Sequence, residues 1–238
     1  MQKWVLNIIL LFRFTKINCQ KFIFMAKRLF DIIFSICILI ILSPVFIITA
    51  LLIKLTSSGA IFFTQTRLGK NVKPFKIYKF RTMVDKSDIG SNNLTLSDDQ
   101  RITKIGKILR KYKLDELPQF VNVLKGEMSI VGPRPDVPEY YDLQNPVHRK
   151  VLSIKPGLTC FAGIKYSLTK VQEAEILAQS ESPEEVYIKK IFPDKMALNL
   201  KYIQEQSFIS DLKIIFQTIY YLFKTICKFP YRSQILQI

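Results

Sequence analysis

Between Ile32 and Ile53 the chain reads IIFSICILIILSPVFIITALLI, 22 residues without a charge. As one straight helix the run would measure roughly 33 Å, enough to cross a bilayer. Ser43-Pro44 interrupts it near the middle. Proline lacks the amide hydrogen that closes a helical turn, and its ring clashes with the carbonyl four residues back, so the run divides into two arms of about 17 Å, each reaching about halfway across. Both flanks are basic, with Lys21, Lys27 and Arg28 before the run and Lys54, Arg67, Lys70 and Lys73 after it. A spanning helix would carry one of these groups to the wrong side. A helix that enters, breaks at Ser43-Pro44 and returns keeps both on one face and lets Ser43 bond a freed carbonyl. A re-entrant helix over residues 25–56 is therefore expected, with a kinked span and a buried soluble helix as the alternatives.

The charge balance agrees with a membrane surface or a polyanionic substrate. The 238 residues carry 35 Lys plus Arg against 19 Asp plus Glu, a net +16, yet 49% of them are hydrophobic. Residues 1–84 hold thirteen cations and a single acid, Asp31. Such a field attracts anionic lipid or phosphate. Cys19, Cys37, Cys160 and Cys227 are widely spaced and form no CxxC pair, which argues against a disulfide framework or a zinc site and for reduced thiols. The one histidine, His148, sits in NPVHRK and reads as an ordinary surface residue. Residues 1–24 read as an N-terminal extension, either amphipathic and lying on the membrane or preceding a true start at Met25.

Beyond Lys54 short apolar runs alternate with turn signals. In PFKIYKFRTM the alternation places Ile77, Lys79, Arg81 and Met83 on one strand face. DKSDIGSNNLTLSDDQ, 85–100, reads as a polar loop. TKIGKILRKYKLDELPQFVNVLKGEM predicts a basic helix, a break near Leu114, and a second helix from about Asp115, which stands at or next to its N-cap, that Gly126 terminates. An N-cap carboxylate is held ionised by free backbone amides, a purely structural role. SIVGPRPD sets Arg134 between two prolines, which stiffen its backbone and present the guanidinium at low ordering cost. Residues 171–190 read as a polar helix, and the last half of 194–229 as an amphipathic interfacial helix or a core helix.

No GxxxxGK[ST] or strand-linked GxGxxG occurs, so a phosphate would be gripped by side chains, with Lys79, Arg81, Arg110 and Arg134 as candidates. Asp115 and Glu116 diverge by about 100° on a helix and cannot easily share one proton. One can attack while the other holds a metal. Mg²⁺, hard and oxygen-ligated, is the natural ion.

KRLFDIIFSICILIILSPVFIITALLIKL, FTQTRLG, FKIYKFRTM, GKILRKYKLDELPQFVNVLKGEMSIVGPRP, KPGLT and SFISDLKIIFQTI, in this order over about residues 25–225, resemble the bacterial sugar transferases, the monotopic polyprenyl-phosphate phosphoglycosyl transferases. The resemblance implies an α+β, mostly helical monotopic membrane protein with a re-entrant helix-break-helix at Ser43-Pro44. Residues 57–238 would form a small cytoplasmic catalytic domain with amphipathic interfacial helices. It implies transfer of a sugar 1-phosphate from a nucleoside diphosphate sugar, usually a UDP-sugar, to undecaprenyl phosphate, with UMP released. This would be the first membrane step of polysaccharide or glycoconjugate synthesis, at the cytoplasmic face of the bacterial inner membrane, with downstream glycosyltransferases as candidate partners. Asp115 would be the nucleophile that forms a phosphosugar aspartate. Glu116 would be its partner, both acids near Mg²⁺, with Arg110, Arg134, Lys79 and Arg81 holding phosphates.

Three departures stand out. Phe161 and Gly163 replace an aromatic and a glutamine common in the PGITGW-Q pattern of many members, which bears on sugar preference. The 165–200 insert is longer than in the smallest members, and the about 24 residues ahead of the re-entrant segment are too few for the multi-span domain that some carry. A non-enzymatic basic membrane adaptor would tolerate amides at 115 and 116. A nucleic-acid binder would need a recognition helix or stacking module, and neither is evident.

Overall fold

The computed structural model describes residues 24–84, 99–168 and 173–227. Expectations for residues 1–23 and most of the 85–100 loop fall outside them. Helix α1 (Phe24–Ile41) and helix α2 (Ser43–Thr56) meet at a 61° bend. The cause is local. Pro44 sits in the first turn of α2 and cannot donate to Ile40, and the Ser43 hydroxyl takes over that carbonyl at 2.8 Å. Among the described residues no single helix is long and apolar enough to cross a membrane; this bent pair satisfies the length and composition only together. Ile40, Ile41, Ile47, Ile48, Leu51 and Leu55 are all exposed on it.

Strands β1 (Phe62–Leu68) and β2 (Pro74–Phe80) form an antiparallel hairpin in which Phe63 faces Lys79, Gln65 faces Ile77 and Arg67 faces Phe75. Helix α3 (Lys104–Lys111) starts at Thr103, whose hydroxyl accepts from the Gly106 amide at 2.8 Å, a cap worth about 1 kcal/mol. A single 3-10 turn, Leu114–Glu116, leads to α4 (Gln119–Lys125), which ends at Gly126 with φ 82° as the glycine predicted. Asn122 on α4 is fully buried. It accepts from the Tyr78 amide at 3.0 Å and donates to the Lys76 carbonyl at 2.8 Å, locking α4 to β2.

Strands β3 (Ser129–Val131) and β4 (Gly157–Thr159) pair in parallel, with α5 (Pro146–Val151) between them in sequence. At the end of this ladder two glycines touch. A Cβ on Gly157 would stand 2.1 Å from the Gly132 nitrogen, so neither position admits a side chain. Short α6 (Phe161–Gly163) and a π turn follow, then α7 (Glu173–Ala178), α8 (Pro183–Val186), α9 (Phe192–Glu205) and α10 (Phe208–Cys227). From 173 to 191 the chain is thus two short helices and a π turn, with Leu177 and Tyr187 buried in a core shared with Phe192 and Met196. Helix α10 buries Ile214 and Ile215 in the core and leaves Ile209, Phe216, Tyr220 and Phe223 exposed. The molecule is α+β and mostly helical.

His148 is structural. Its Nδ1 accepts from the Asp142 amide at 3.0 Å and its ring meets Tyr141 and Phe192 edge-on. Cys37, Cys160 and Cys227 are free thiols.

Candidate active site

Asp115 is not an N-cap. Lys113 takes a left-handed conformation (φ 57°), which ends α3 and throws the chain into the 3-10 turn that carries both acids. Helix α4 begins later, behind Pro118. Asp115 is 7% exposed, and its Oδ1 has no hydrogen-bond partner among the described residues. Burial raises its pKa, the adjacent Glu116 charge adds to this, and Lys79, Lys113 and Arg110 offset part of it. A nearly buried acid with one free oxygen is an unusual thing for a fold to maintain.

Glu116 is the opposite case. Arg134 donates to its two oxygens at 3.1 and 2.5 Å in a forked pair, and Lys79 Nζ stands 3.7 Å away. Burial alone would raise this carboxyl, but Arg134 and Lys79 overcome it and hold the group well below the usual carboxylate range. Burial in turn lowers Lys79 to about 8 despite Glu116. Glu116 raises Arg134, which therefore stays charged.

Of the four cations expected here, the structure brings Lys79 and Arg134 onto Glu116. Arg110 donates through Nε to Thr82 Oγ1 at 2.8 Å, and its charge acts on Asp115. Arg81 parts from them. β2 ends at Phe80, so the alternation stops before Arg81, whose guanidinium binds the Ser57 carbonyl at 2.9 Å and the Ser58 carbonyl. It closes the C-terminal end of α2, where free carbonyls favour a cation. Lys113 and Arg67 are the residues that sequence reasoning passed over. Both lay inside quoted motifs, but neither the left-handed turn nor the hairpin register is visible in composition.

Two carboxylates do not make a metal site on their own, and among the described residues no three His, Cys, Asp or Glu side chains gather around one point. The free Asp115 oxygen does suit a hard cation that takes its remaining ligands from substrate phosphates, which is how Mg²⁺ is commonly held. A cavity of about 250 Å³ opens beside Glu116. Glu116 and Arg134 stand at one part of its wall, and Phe34, Leu42, Phe120 and Ile219 supply apolar lining from α1, the bend, α4 and α10. A charged end and an oily body in one cavity suit an amphiphilic anion.

A sequence profile of the bacterial sugar transferases matches residues 22–225, and the chain belongs to that family. It is an enzyme of the phosphoglycosyl transferase class. Among its relatives, an exopolysaccharide production protein ExoY of Sinorhizobium fredii is 36% identical over 209 residues, 82% of this chain and 84% of the relative. The UDP-glucose:undecaprenyl-phosphate glucose-1-phosphate transferase of Escherichia coli is 36% identical, spanning 82% of this chain but 40% of that longer protein. The undecaprenyl-phosphate N-acetylgalactosaminephosphotransferase of Aeromonas hydrophila, which uses UDP-N-acetylgalactosamine, is 40% identical over 58% of this chain and 33% of its own length.

Proposed function

We propose that the protein moves a sugar 1-phosphate from a UDP-sugar to undecaprenyl phosphate, in exopolysaccharide or related glycan synthesis, through a covalent intermediate on Asp115. The observation that carries this reading is the contrast between the acids: Asp115 keeps an unpartnered oxygen while Glu116 is saturated by Arg134 and Lys79. In the first half an Asp115 oxygen attacks the phosphorus that bears the sugar. The bond to the bridging oxygen breaks, and its electron pair leaves on UMP. In the second half a phosphate oxygen of the lipid attacks the same phosphorus and the aspartyl bond breaks, restoring the carboxylate. Two in-line transfers at one site need little beyond positioning and charge neutralisation. Lys79, Arg110 and Arg134 supply the charge, and Glu116 orients Arg134 and Lys79. Asp115, with Glu116 beside it, would hold Mg²⁺, which when bound supplies further neutralisation of the phosphate oxygens.

The relatives' donors and acceptor support the substrate class, and the apolar lining of the cavity supports a lipid acceptor. The exposed apolar face of α1 and α2, with basic residues on both flanks, supports a re-entrant insertion from the cytoplasmic side of the inner membrane. The deciding experiment measures UMP release from a panel of UDP-sugars by detergent-solubilised protein with Mg²⁺, with and without undecaprenyl phosphate, for wild type and Asp115→Asn. Release with one sugar that requires both lipid and Asp115 is expected. Full activity in Asp115→Asn would sink the mechanism.

A further inference from the structure

The hairpin places one more cation on the face that carries Lys79. Because Phe63 faces Lys79 and Arg67 faces Phe75 in register, Arg67, Gln65 and Lys79 project from the same side of the sheet. The Pro133–Asp136 loop crosses that side. Arg134 joins Lys79 on Glu116, and two residues later Asp136 Oδ1 lies 3.8 Å from Arg67 Nη1, with the Pro135 carbonyl at 3.5 Å. Arg67 gives Nη2 to Gln65 at 2.7 Å, but its Nε has no partner among the described residues, and its side chain is only 15% exposed. A separation of 3.8 Å is longer than a charge-assisted hydrogen bond. The guanidinium is fixed in place with donors to spare, and burial lowers its pKa, as befits a cation short of anions.

Asp136 is held in turn by the 165–200 insert. Tyr187, 1% exposed, donates its hydroxyl to Asp136 Oδ1 at 3.0 Å. Buried Lys195 donates to that hydroxyl at 3.2 Å and pairs with Glu173 at 2.7 Å. The chain Glu173, Lys195, Tyr187, Asp136 is satisfied link by link until it reaches Arg67, where a donor is left over.

A donor with two linked phosphates has two anionic groups to place. The one that bears the sugar must meet Asp115, beside Arg134 and Lys79. The one that departs gathers charge as the bridging bond breaks and needs its own cation. We propose that Arg67 grips the departing, nucleoside-bearing phosphate, and that Tyr187 and Lys195 position it through Asp136. This rests on the transfer reaction proposed above, and it gives the insert a role in donor binding.

The test uses the full chain in detergent, with Arg67→Gln, Arg67→Lys and Tyr187→Phe. It measures KM for the UDP-sugar, KM for undecaprenyl phosphate and the inhibition constant of UMP, alongside thermal melting. Arg67→Gln should raise donor KM and the UMP constant together, by about tenfold or more, and leave acceptor KM within about twofold. Arg67→Lys should recover part of the loss, and Tyr187→Phe should show the same pattern at about threefold. A folded Arg67→Gln with unchanged UMP inhibition, or an equal rise in both KM values, overturns the proposal. Should Arg67→Gln fail to fold, Tyr187→Phe, which keeps the ring, decides by the same criteria. Wild-type protein that releases no UMP from any UDP-sugar sinks the reaction itself, whereas active wild type with UMP inhibition unmoved removes only Arg67.

Discussion

The charges that tie α1 to the rest of the molecule and those around Asp115 are similarly sheltered but differently matched. In the tie, Lys27 bonds Asp211 and donates to the Val131 carbonyl at 3.1 Å, and the Tyr202 hydroxyl donates to the other Asp211 oxygen at 2.7 Å. Arg28 donates to the Val123 and Leu124 carbonyls at 2.6 and 2.9 Å, at the end of α4 where carbonyls are free. Asp31 accepts from the Ile130 amide at 3.1 Å. Each of these charges has its partner. Around Asp115 an oxygen is left open, Lys79 is pushed down to about 8, and Arg67 keeps an unused donor. An open buried charge costs stability, and the difference between the two regions is that the ion pairs of the tie are matched while Asp115 and Arg67 each keep an open atom.

The contrast is broken most directly at Asp115. Asp115→Asn should lower turnover by at least about 10³-fold and raise the melting temperature near neutral pH. The sign follows from linkage. A carboxyl whose folded pKa is raised binds more protons when folded, so stability falls as pH climbs from the unfolded to the folded pKa, and an amide removes that penalty. A lower melting temperature in this variant would show that Asp115 is as structurally matched as Asp211.

Glu116→Gln should cost about 10²-fold or more, with little rescue by added Mg²⁺, because it frees Arg134 and Lys79 as well as removing a charge. Steady-state rates across an Mg²⁺ series measure this, and full recovery at high Mg²⁺ would argue that the pairing with Arg134 is incidental. Asp211→Ala tests the other region. It strands Lys27 and should destabilise the fold by about 3–5 kcal/mol, while the folded fraction keeps the wild-type KM for the UDP-sugar. Melting curves joined to kinetics separate the two.

The smallest effect is in pH dependence. Lys79, lowered to about 8, should produce an alkaline decline in kcat/KM for the donor above about pH 8, as its cation is lost. Lys79→Arg, which does not titrate in this range, should flatten that limb. A decline that survives in Lys79→Arg would assign it to another group.

Much of this was legible in the chain. The break at Ser43-Pro44, the cap at Gly126 and the charged turn around Asp115 all depend on residues within four positions of one another. Arg134 and Lys79 could be nominated as phosphate ligands from residue type and the stiffness of the Pro-Arg-Pro run. The placement of Asp115 at or next to the N-cap of the second helix missed because Lys113 adopts a left-handed turn that propensity does not announce, and the turn of Arg81 toward the Ser57 and Ser58 carbonyls was not visible because β2 ends at Phe80.

By itself, then, the sequence determined that this chain has a broken apolar helix, a strongly basic face and two adjacent acids without a glycine-rich phosphate loop. It also determined the family, because the motifs that carry it are short and contiguous. Which cations reach which acid was decided only by the tertiary structure. Glu116 meets Lys79 because Asn122 locks α4 against β2, and Arg67 meets Asp136, and through it the 165–200 insert, because hairpin register points it there. Those partners lie 18 to 69 positions apart in the pairs Glu116–Arg134 and Arg67–Asp136. Over such separations residue type says what can bond, but only packing brings two side chains within the few ångströms at which charge acts strongly.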